Sequence, residues 1–380
     1  MKEGFDTRST PHCIEGEALQ PLIRPDSFTV LREERCRKSL ARYFSILQDE
    51  KYAQFQVARK VAVDFSEKSS LEELWDTHRR TLPLFRELRK SVDEGKRLAS
   101  VPTPKTSLHD LKTLIARHIL SRCHLCERRC GANRLNGELG YCRCGKEVVV
   151  SSFFEHMGEE PELVPSGTIF TCGCTLRCLH CQNYTISQWL EEGEVLSPEA
   201  LAAVVDALKA RGCRNANLVG GDPTSWLGQW LEVFRHVRSN IAVVWNSNSY
   251  YSVEAAELLK GFADVYLLDF KYGPGGCAER ISDAPGYWDV AARNHLTAKE
   301  WGELIIRLLV LPGHLDCCLT PVLEWVAENL GVETRVNIMF QFRPEWRASE
   351  IPELTRSLSQ EERKRAVDIA KSLGFANFIT

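Results

Sequence analysis

The twelve residues from Thr171 to Gln182, TCGCTLRCLHCQ, carry the most specialised side chains of the sequence. Three of the cysteines, Cys174, Cys178 and Cys181, have the spacing CxxxCxxC. A cubane iron–sulfur cluster takes four thiolates, so a compact loop with three leaves one iron without a protein ligand. The spacing therefore predicts a metal cluster with an open position, which is where a reaction would occur.

A second cysteine group precedes this loop and contains Cys123, Cys126, Cys130 and Cys142, with Cys144 as a spare. Four thiolates in about twenty residues suit a closed tetrahedral zinc site or a second iron–sulfur cluster. Zinc would stabilise a small subdomain, whereas a second cluster would relay electrons to the first. The alternative to a metal site is a group of reduced structural or redox thiols. Interleaved cations would offset the thiolate charge, and they are Arg128, Arg129, Arg134 and Arg143.

The remaining cysteines give weaker signals. Cys317 and Cys318 are adjacent, and neighbouring side chains point in different directions on a regular element. We therefore do not expect both to bind one metal, although one of them is a candidate hydrogen donor or relay. Four scattered cysteines are interpreted as ordinary buried or surface side chains, namely Cys13, Cys36, Cys213 and Cys277.

Composition narrows the class of protein. The 380 residues suffice for two or three domains, or for one large domain with additions. With 48 Lys plus Arg, 51 Asp plus Glu and a net charge of -3, nothing favours nucleic acid or an anionic membrane as partner. The first residues lack a signal-peptide core, and the longest apolar run, Leu304 to Leu311, is interrupted by Arg307. We therefore predict a cytoplasmic protein. In a reducing compartment, clustered cysteines in an odd total of 15 favour metal ligands or catalytic thiols over disulfides.

The elements that would position the cysteine loop begin at about residue 161 and continue to residue 380. In this region short β-branched apolar runs alternate with helical patterns, as in a parallel sheet covered on both faces. Six βα units predict a partial barrel or an open doubly wound sheet, because a full eight-unit barrel needs more chain. The predicted strands are Gly167 to Thr171, Ala216 to Val219, Ile241 to Trp245, Asp264 to Phe270, Leu304 to Leu311 and Arg335 to Phe340.

Two further regions precede this sheet. Residues 1 to 106 have helical patterns, and Ser70 with Glu73 has the spacing of a capping box. We predict a helical N-terminal extension that covers the pocket or docks a partner. Residues 107 to 160 form a cysteine-rich metal or cluster-binding segment that begins with a helix from Leu108 to Leu120.

Polar residues and glycines follow the predicted strands. The carboxyl ends of parallel strands meet at one edge, where α/β proteins bind ligands. One at a time, these residues are ordinary turns, caps or surface ion pairs. Together they favour one pocket. In chain order they are Gly220, Gly221 and Asp222, then Asn246 and Asn248, then Asp269 and Lys271, then His314, and finally Gln341 and Arg343.

These residues carry a resemblance to a known family. CxxxCxxC followed by the turn Gly220-Gly221-Asp222 resembles the radical S-adenosylmethionine (radical SAM) superfamily. The segments CTLRCLHCQNYTIS, GGDPTSWL, WNSNSYYS, YLLDFKYG and RLLVLPGH resemble its branch related to pyruvate formate-lyase activating enzymes. The resemblance covers about residues 110 to 375, and it implies a partial (βα)6 barrel of the radical SAM type.

The resemblance implies cofactors and ligands. Cys174, Cys178 and Cys181 would hold a [4Fe-4S] cluster whose fourth iron binds the amino and carboxylate groups of S-adenosylmethionine (SAM), with Cys172 outside that set. The implied SAM contacts are Gly220, Gly221 and Asp222 at the methionyl amine, Asn246 and Asn248 at the carboxylate or ribose, and Asp269 and Lys271 at the ribose hydroxyls.

Two residues depart from the family pattern. His180 precedes the third cysteine, where Phe, Tyr or Trp usually packs near the adenine, and we expect the imidazole to stack there instead. Asp222 stands where Glu is common and is one methylene shorter.

The leading hypothesis is an enzyme that cleaves SAM reductively to a 5'-deoxyadenosyl radical, which abstracts hydrogen from a substrate. The branch implies a partner protein activated at a glycine, and an electron donor such as flavodoxin or ferredoxin. A small molecule or peptide is the alternative substrate. An iron–sulfur electron carrier or a zinc-stabilised adaptor is the alternative class, but neither needs the segments GGD and DFK after successive strands.

Overall fold

A computed structural model describes residues 24–380, so Cys13 lies outside the described part of the chain. Its helices, numbered α1 to α14, are Asp26–Thr29, Glu34–Ser39, Ala41–Leu47, Gln54–Ala58, Leu71–Asp93, Leu108–Leu120, Tyr184–Ser187, Pro198–Ala210, Leu227–Val233, Val253–Leu259, Cys277–Ser282, Tyr287–Trp301, Thr320–Asn329 and Gln360–Ser372. Its strands, numbered β1 to β9, are Val149–His156, Ser166–Thr171, Glu194–Val195, Asn215–Leu218, Ala242–Ser247, Val265–Asp269, Glu303–Leu309, Arg335–Met339 and Phe378–Ile379.

The strands form one nine-stranded sheet in the order β3-β1-β2-β4-β5-β6-β7-β8-β9. From β2 to β9 every neighbouring pair is parallel, whereas β1 pairs antiparallel with β2 and with β3. The sheet does not close, because β3 and β9 lie at its two ends. The predicted α/β class and the six predicted strands are confirmed, each strand within two residues at its ends.

Strand β1 was not predicted. It lies inside the cysteine-rich segment of residues 107 to 160, and it pairs with β2 over most of its length, from Val150 opposite Thr171 to His156 opposite Ser166. Phe153 and Phe154 are both 39% exposed, so the strand lacks the continuous apolar run by which the buried parallel strands were recognised.

Local sequence signals account for several helix starts. Ser70 caps α5 in a reciprocal capping box with Glu73, as predicted. Helix α6 has the predicted bounds, Leu108–Leu120, because Ser107 and Asp110 form a second capping box at its start. These side chains satisfy backbone N–H groups that a first helical turn leaves without partners.

The N-terminal helices bind the amino ends of the strands. Glu303, at the start of β7, accepts hydrogen bonds from the backbone N–H groups of Arg42 (2.7 Å) and Tyr43 (2.6 Å). Asp264, just before β6, accepts from the Arg42 guanidinium at 3.0 Å and from the Gln54 backbone at 2.9 Å. The predicted helical extension is therefore present in residues 24 to 100, and these contacts lie at the opposite end of the sheet from the strand-end residues. Whether part of the extension covers the pocket or docks a partner stays a prediction.

The carboxyl end of the sheet is bridged by a loop. After β8, the Gln341 carbonyl accepts from Gln182 Nε2 at 2.8 Å, and Arg347 N donates to the Leu179 carbonyl at 2.9 Å. The Trp346 ring stacks on Tyr184, with centroids 4.8 Å apart. The segment after β8 thus docks on the cysteine loop that follows β2. Within residues 24–380, no helix combines the length and apolar character needed to cross a bilayer.

Candidate active site

A cavity of about 210 Å³ lies at the carboxyl ends of the parallel strands. All the predicted cluster and SAM residues line it except Asp222. The remaining wall is formed by other strand-end and loop residues. The predicted residues in the wall are Cys174, Cys178, His180, Cys181, Gly220, Gly221, Asn246, Asn248, Asp269 and Lys271.

Each of the three CxxxCxxC thiols has a polar partner. Ser282 Oγ donates to Cys178 Sγ at 3.0 Å, and Ser187 Oγ lies 3.2 Å from Cys181 Sγ. Cys174 Sγ accepts from the Leu176 backbone N–H at 3.4 Å and from Asn248 Nδ2 at 3.5 Å. Hydrogen bonds of this kind stabilise charge on sulfur and set the potential of a cluster that the sulfurs bind.

The two glycines of the turn after β4 allow it to pack against the cysteine loop. A Cβ on Gly221 would overlap the carbonyl oxygen of Gly173 and lie 2.8 Å from the Cα of Ser187. A Cβ on Gly220 would lie 2.5 Å from the carbonyl oxygen of Thr171, and its φ is +118°, which L side chains rarely adopt. Both positions require glycine because two backbone segments meet there.

The carboxylate of Asp222 is directed into the protein. One oxygen accepts from Thr224 N at 2.9 Å, and the other accepts from Ser247 Oγ at 3.0 Å and from Asn248 N at 2.8 Å. Burial raises the pKa of this carboxyl group above its ordinary value, and these hydrogen bonds oppose the shift. Asp222 therefore ties the end of β4 to the end of β5 and is not part of the cavity wall, and its predicted contact with the methionyl amine stays a prediction.

Strand β7 contributes a charge that faces the cavity. Arg307 lines the wall and donates to Asn246 Oδ1 at 3.2 Å. On its other side it forms ion pairs with Glu159 and with Glu160, the latter at 2.6 Å. Burial opposes the guanidinium charge, but the two carboxylates outweigh it and raise the pKa of Arg307. The arginine is thus held charged beside Asn246, whose amide is predicted to meet the methionyl carboxylate or the ribose.

The remaining predicted ligands also line the cavity, and Asp269 on β6 lies beside Arg307 on the neighbouring strand. Lys271 Nζ and Asp269 Oδ2 are 2.6 Å apart and partly buried, so they form an ion pair in the cavity wall. His180 is 5% exposed and its Nε2 lies 3.1 Å from the hydroxyl of Tyr272. Burial lowers the pKa of His180 to about 3, so its ring is neutral near pH 7.

Several wall and support residues were missed from the sequence. Arg307 was noticed only as an interruption in an apolar run, although a cation inside a doubly covered strand is itself a signal of function or pairing. Ser187 and Ser282 gave no signal, because serine is common in turns and at helix ends. Of the other predicted strand-end residues, His314 lines a separate small cavity, and Arg343 has a side chain 68% exposed.

The second cysteine group packs against the CxxxCxxC loop. Cys144 Sγ lies 3.6 Å from the Cys172 carbonyl oxygen, and Arg128 Nε donates to the Thr175 carbonyl at 3.2 Å. Arg134 is fully buried, with one guanidinium nitrogen 4.0 Å from Cys123 Sγ. Whether this group binds zinc or a cluster stays a prediction, but the two segments are in direct contact.

Comparison with known proteins agrees with this geometry. A family model described as the radical SAM superfamily matches residues 168–326. The uncharacterized protein MJ0674 of Methanocaldococcus jannaschii is 41% identical over 339 residues, which cover 87% of this chain and 97% of that protein. The uncharacterized protein MJ0808 of the same organism is 24% identical over 280 residues, covering 67% of this chain and 82% of the relative.

Solved structures match more distantly. Streptococcus suis SuiB bound to the precursor peptide SuiA has a TM-score of 0.40 and 11% identity, and the match covers 54% of this chain and 46% of that one. A structure of TYW1 with a lysine-pyruvate adduct has a TM-score of 0.36 and 14% identity, covering 54% of this chain and 73% of that one. The family model and the extensive match to MJ0674 place the chain by sequence: it belongs to the radical SAM superfamily of enzymes, whose cofactors are a [4Fe-4S] cluster and SAM.

Proposed function

We propose that the cavity at the carboxyl ends of β2 to β8 is the active site, and that Cys174, Cys178 and Cys181 hold the [4Fe-4S] cluster. The single observation that carries this proposal is the convergence of residues from six different strand ends on one cavity. Three thiols share its wall with two glycines, two asparagines and an ion pair, which is a donor set suited to a cluster and an amino-acid-bearing nucleotide.

The residues fit the implied cofactors. The three thiols face one space, and each has a hydrogen-bond donor or a hydroxyl at 3.0 to 3.5 Å to support thiolate charge. When bound, the cluster and SAM supply a one-electron reductive cleavage that yields a carbon radical able to abstract hydrogen. This chain contributes the thiolate ligands, a fixed cavity shape and the exclusion of water.

The cavity wall suggests which residues orient SAM. Arg307 and Asn246 place a cation and an amide together for the methionyl carboxylate. Gly220 and Gly221 bring backbone groups to the wall for the methionyl amine, while Asp222 fixes the neighbouring Ser247 and Asn248. Asp269 and Lys271 are held as a pair within reach of ribose hydroxyls.

The decisive experiment is SAM cleavage by the anaerobically reconstituted protein. After reduction with dithionite in the presence of SAM, we expect 5'-deoxyadenosine from the wild type. Cys178→Ala removes a cluster ligand and is expected to lower the yield about a hundredfold or more. Cys213→Ala is the matched control, because Cys213 is also a buried cysteine but does not line the cavity. No product from the wild type, or undiminished product from Cys178→Ala, would refute the proposal.

For the substrate, we propose a partner protein that is activated at a glycine, as the resemblance to pyruvate formate-lyase activating enzymes implies. A flavodoxin or ferredoxin would supply the electron in a reducing cytoplasm. The free state of every described cysteine is in keeping with that compartment. The alternative within the same chemistry is a small molecule or peptide.

Deuterium transfer separates these substrates. Extract from cells grown on deuterated glycine would be divided into macromolecular and small-molecule fractions, and each fraction incubated with enzyme and SAM. The proposal predicts deuterium in 5'-deoxyadenosine with the macromolecular fraction and a glycyl radical signal in that fraction. Transfer only from the small-molecule fraction would overturn the activating role and leave SAM cleavage intact.

A further inference from the structure

Cys277 meets the adjacent pair Cys317 and Cys318, forty residues further along the chain, beside the proposed active site. Cys277 Sγ lies 3.8 Å from Cys317 Sγ, which lies 3.8 Å from Cys318 Sγ. All three sulfurs fall within 4.8 Å of one another, and in residues 24–380 this is the one group of three or more His, Cys, Asp or Glu ligand atoms so closely gathered. Cys277 is therefore not an ordinary scattered cysteine, and the expectation that Cys317 and Cys318 point apart is wrong.

The local backbone explains why adjacent cysteines converge. Cys317 and Cys318 lie in a π-helical turn, Leu315–Leu319, which is closed by the hydrogen bond from Thr320 N to the Leu315 carbonyl. The wider turn changes the angle between neighbouring side chains relative to an α-helix. Such turns are rare and occur frequently at functional sites. Gly273 packs on this turn from outside, because a Cβ there would overlap the Cys317 carbonyl oxygen.

We propose that Cys277, Cys317 and Cys318 bind a single Zn²⁺ ion and leave its fourth coordination position open to an exogenous thiol. A tetrahedral ion with metal–sulfur bonds of about 2.3 Å holds its thiolates about 3.8 Å apart. Two of the sulfur separations have this value.

The spacing also bears on two other uses of the same thiols. At 3.8 Å the sulfurs are not joined in a disulfide, whose S–S bond is about 2.05 Å. A cubane cluster binds its cysteines to different irons, so its thiolates lie further apart than those around one ion. Three thiolates close around one point are instead the ligand set of a mononuclear soft metal site.

The open fourth position follows from the surroundings. No fourth ligand atom from residues 24–380 joins the group. The nearby His314 has both ring nitrogens engaged, Nδ1 with the Pro312 carbonyl at 2.8 Å and Nε2 with Arg280 at 3.4 Å. Cys317 is exposed and Cys277 is half-buried, so solvent reaches the ion from their side. Three protein ligands with an exchangeable fourth are characteristic of zinc sites that bind a reactant.

The group also borders the cavity of the active site. Cys318 lines a small cavity together with Lys271 and Leu309, and both of these residues also line the larger cavity. A thiol on the zinc ion would thus lie next to the wall that holds the proposed ribose contacts. The inference does not depend on the proposed substrate, because it concerns thiols outside the CxxxCxxC loop.

The test is metal binding by the full chain, measured with Co²⁺ and Zn²⁺ after anaerobic removal of loosely bound metal. The wild type is expected to bind one more equivalent of Zn²⁺ than Cys317→Ser and Cys277→Ser. With Co²⁺, the wild type should show sulfur-to-cobalt charge-transfer absorption that loses intensity in both variants. Adding β-mercaptoethanol should shift the visible cobalt bands of the wild type, since the fourth position exchanges.

Two comparisons keep this test specific. Cys213→Ser, at a buried cysteine outside the group, should bind as much Zn²⁺ as the wild type. The group of Cys123, Cys126, Cys130 and Cys142 is intact in every variant. Any metal that it binds therefore does not affect the difference in Zn²⁺ content between wild type and variant. Equal Zn²⁺ content in wild type, Cys317→Ser and Cys277→Ser would overturn the proposal. So would a disulfide among the three cysteines in the anaerobic protein.

Discussion

Two sets of three cysteines flank the same cavity wall, and they differ in how their sulfurs are arranged. Cys277, Cys317 and Cys318 crowd within 4.8 Å and have one another as nearest sulfur partners. In the CxxxCxxC loop the thiols instead contact Ser282, Ser187 and Asn248. The comparison teaches that thiols spaced among hydrogen-bond donors suit the proposed multinuclear cluster, whereas thiols brought together suit the proposed mononuclear ion.

Among substitutions that distinguish the two sets, Gly221→Ala is expected to have the largest effect. It should disturb only the CxxxCxxC loop. Its Cβ would overlap the Gly173 carbonyl and push the turn away from the cysteine loop. We expect iron content to fall and 5'-deoxyadenosine formation to drop about tenfold or more, as assayed by metal analysis and chromatography. Gly275→Ala is the control, since nothing lies within 4 Å of a Cβ there. Wild-type iron and rate in Gly221→Ala would contradict the role given to this turn.

Gly273→Ala should break the second set selectively. The added methyl group would overlap the Cys317 carbonyl oxygen and lie 3.2 Å from the Cα of Cys318, so the π-helical turn must shift. We expect Co²⁺ affinity at this site to weaken about tenfold, which corresponds to about 1.4 kcal/mol. Iron content should stay at the wild-type value. A fall in iron with unchanged Co²⁺ affinity would show that the two sets are not separable in this way.

A smaller effect is expected from Ser282→Ala, which removes the hydroxyl donor to Cys178. Loss of a hydrogen bond worth about 1 kcal/mol destabilises the reduced cluster and lowers its one-electron potential by about 40 mV. The potential would be measured by redox titration followed by electron paramagnetic resonance. Ser372→Ala, at an exposed end of α14, should leave it unchanged. An unchanged or higher potential in Ser282→Ala would contradict the donor role.

The last expected effect is on stability and concerns His180, in the wall next to the first set. Burial lowers the pKa of His180 to about 3, below its unfolded value of about 6.5, so the unfolded state binds the extra proton between these pH values. Wild-type stability should therefore fall by about 1.4 kcal/mol per pH unit as pH drops below 6.5. His180→Phe removes this contribution, and denaturant titrations at pH 7 and pH 5 should show a weaker acid dependence. The same dependence in both proteins would contradict a buried neutral imidazole.

The sequence located the first set because its information is local. CxxxCxxC can be read within one loop, and the strand ends bring Gly220, Asn246 and Asp269 to one edge once a parallel sheet is inferred. The second set could not be predicted from the sequence, because Cys277 meets Cys317 and Cys318 only through tertiary packing and a π-helical turn. The direction of the Asp222 side chain was equally hidden, since its partners Ser247 and Asn248 belong to another strand end.

A similar limit applies to the helical extension at the amino ends of the strands. Its helices were predictable from capping boxes and periodicity, but its position was not. That position depends on Asp264 and Glu303, two carboxylates at strand starts whose hydrogen bonds to Arg42, Tyr43 and Gln54 cross more than 200 residues of sequence. Long-range pairing of buried polar groups has no local pattern.

Helix α11 connects the two cysteine sets within six residues. It begins at Cys277, one of the three clustered thiols, and ends at Ser282, the hydroxyl that donates to Cys178. A metal ion bound to Cys277 would restrain the start of this short helix, and any shift of the helix would change the strength of that hydrogen bond at its other end. Thermodynamic reciprocity then requires that reducing the cluster alters the affinity for the ion by the same free energy. The helix would make electron affinity at one site and metal occupancy at the other a single linked equilibrium.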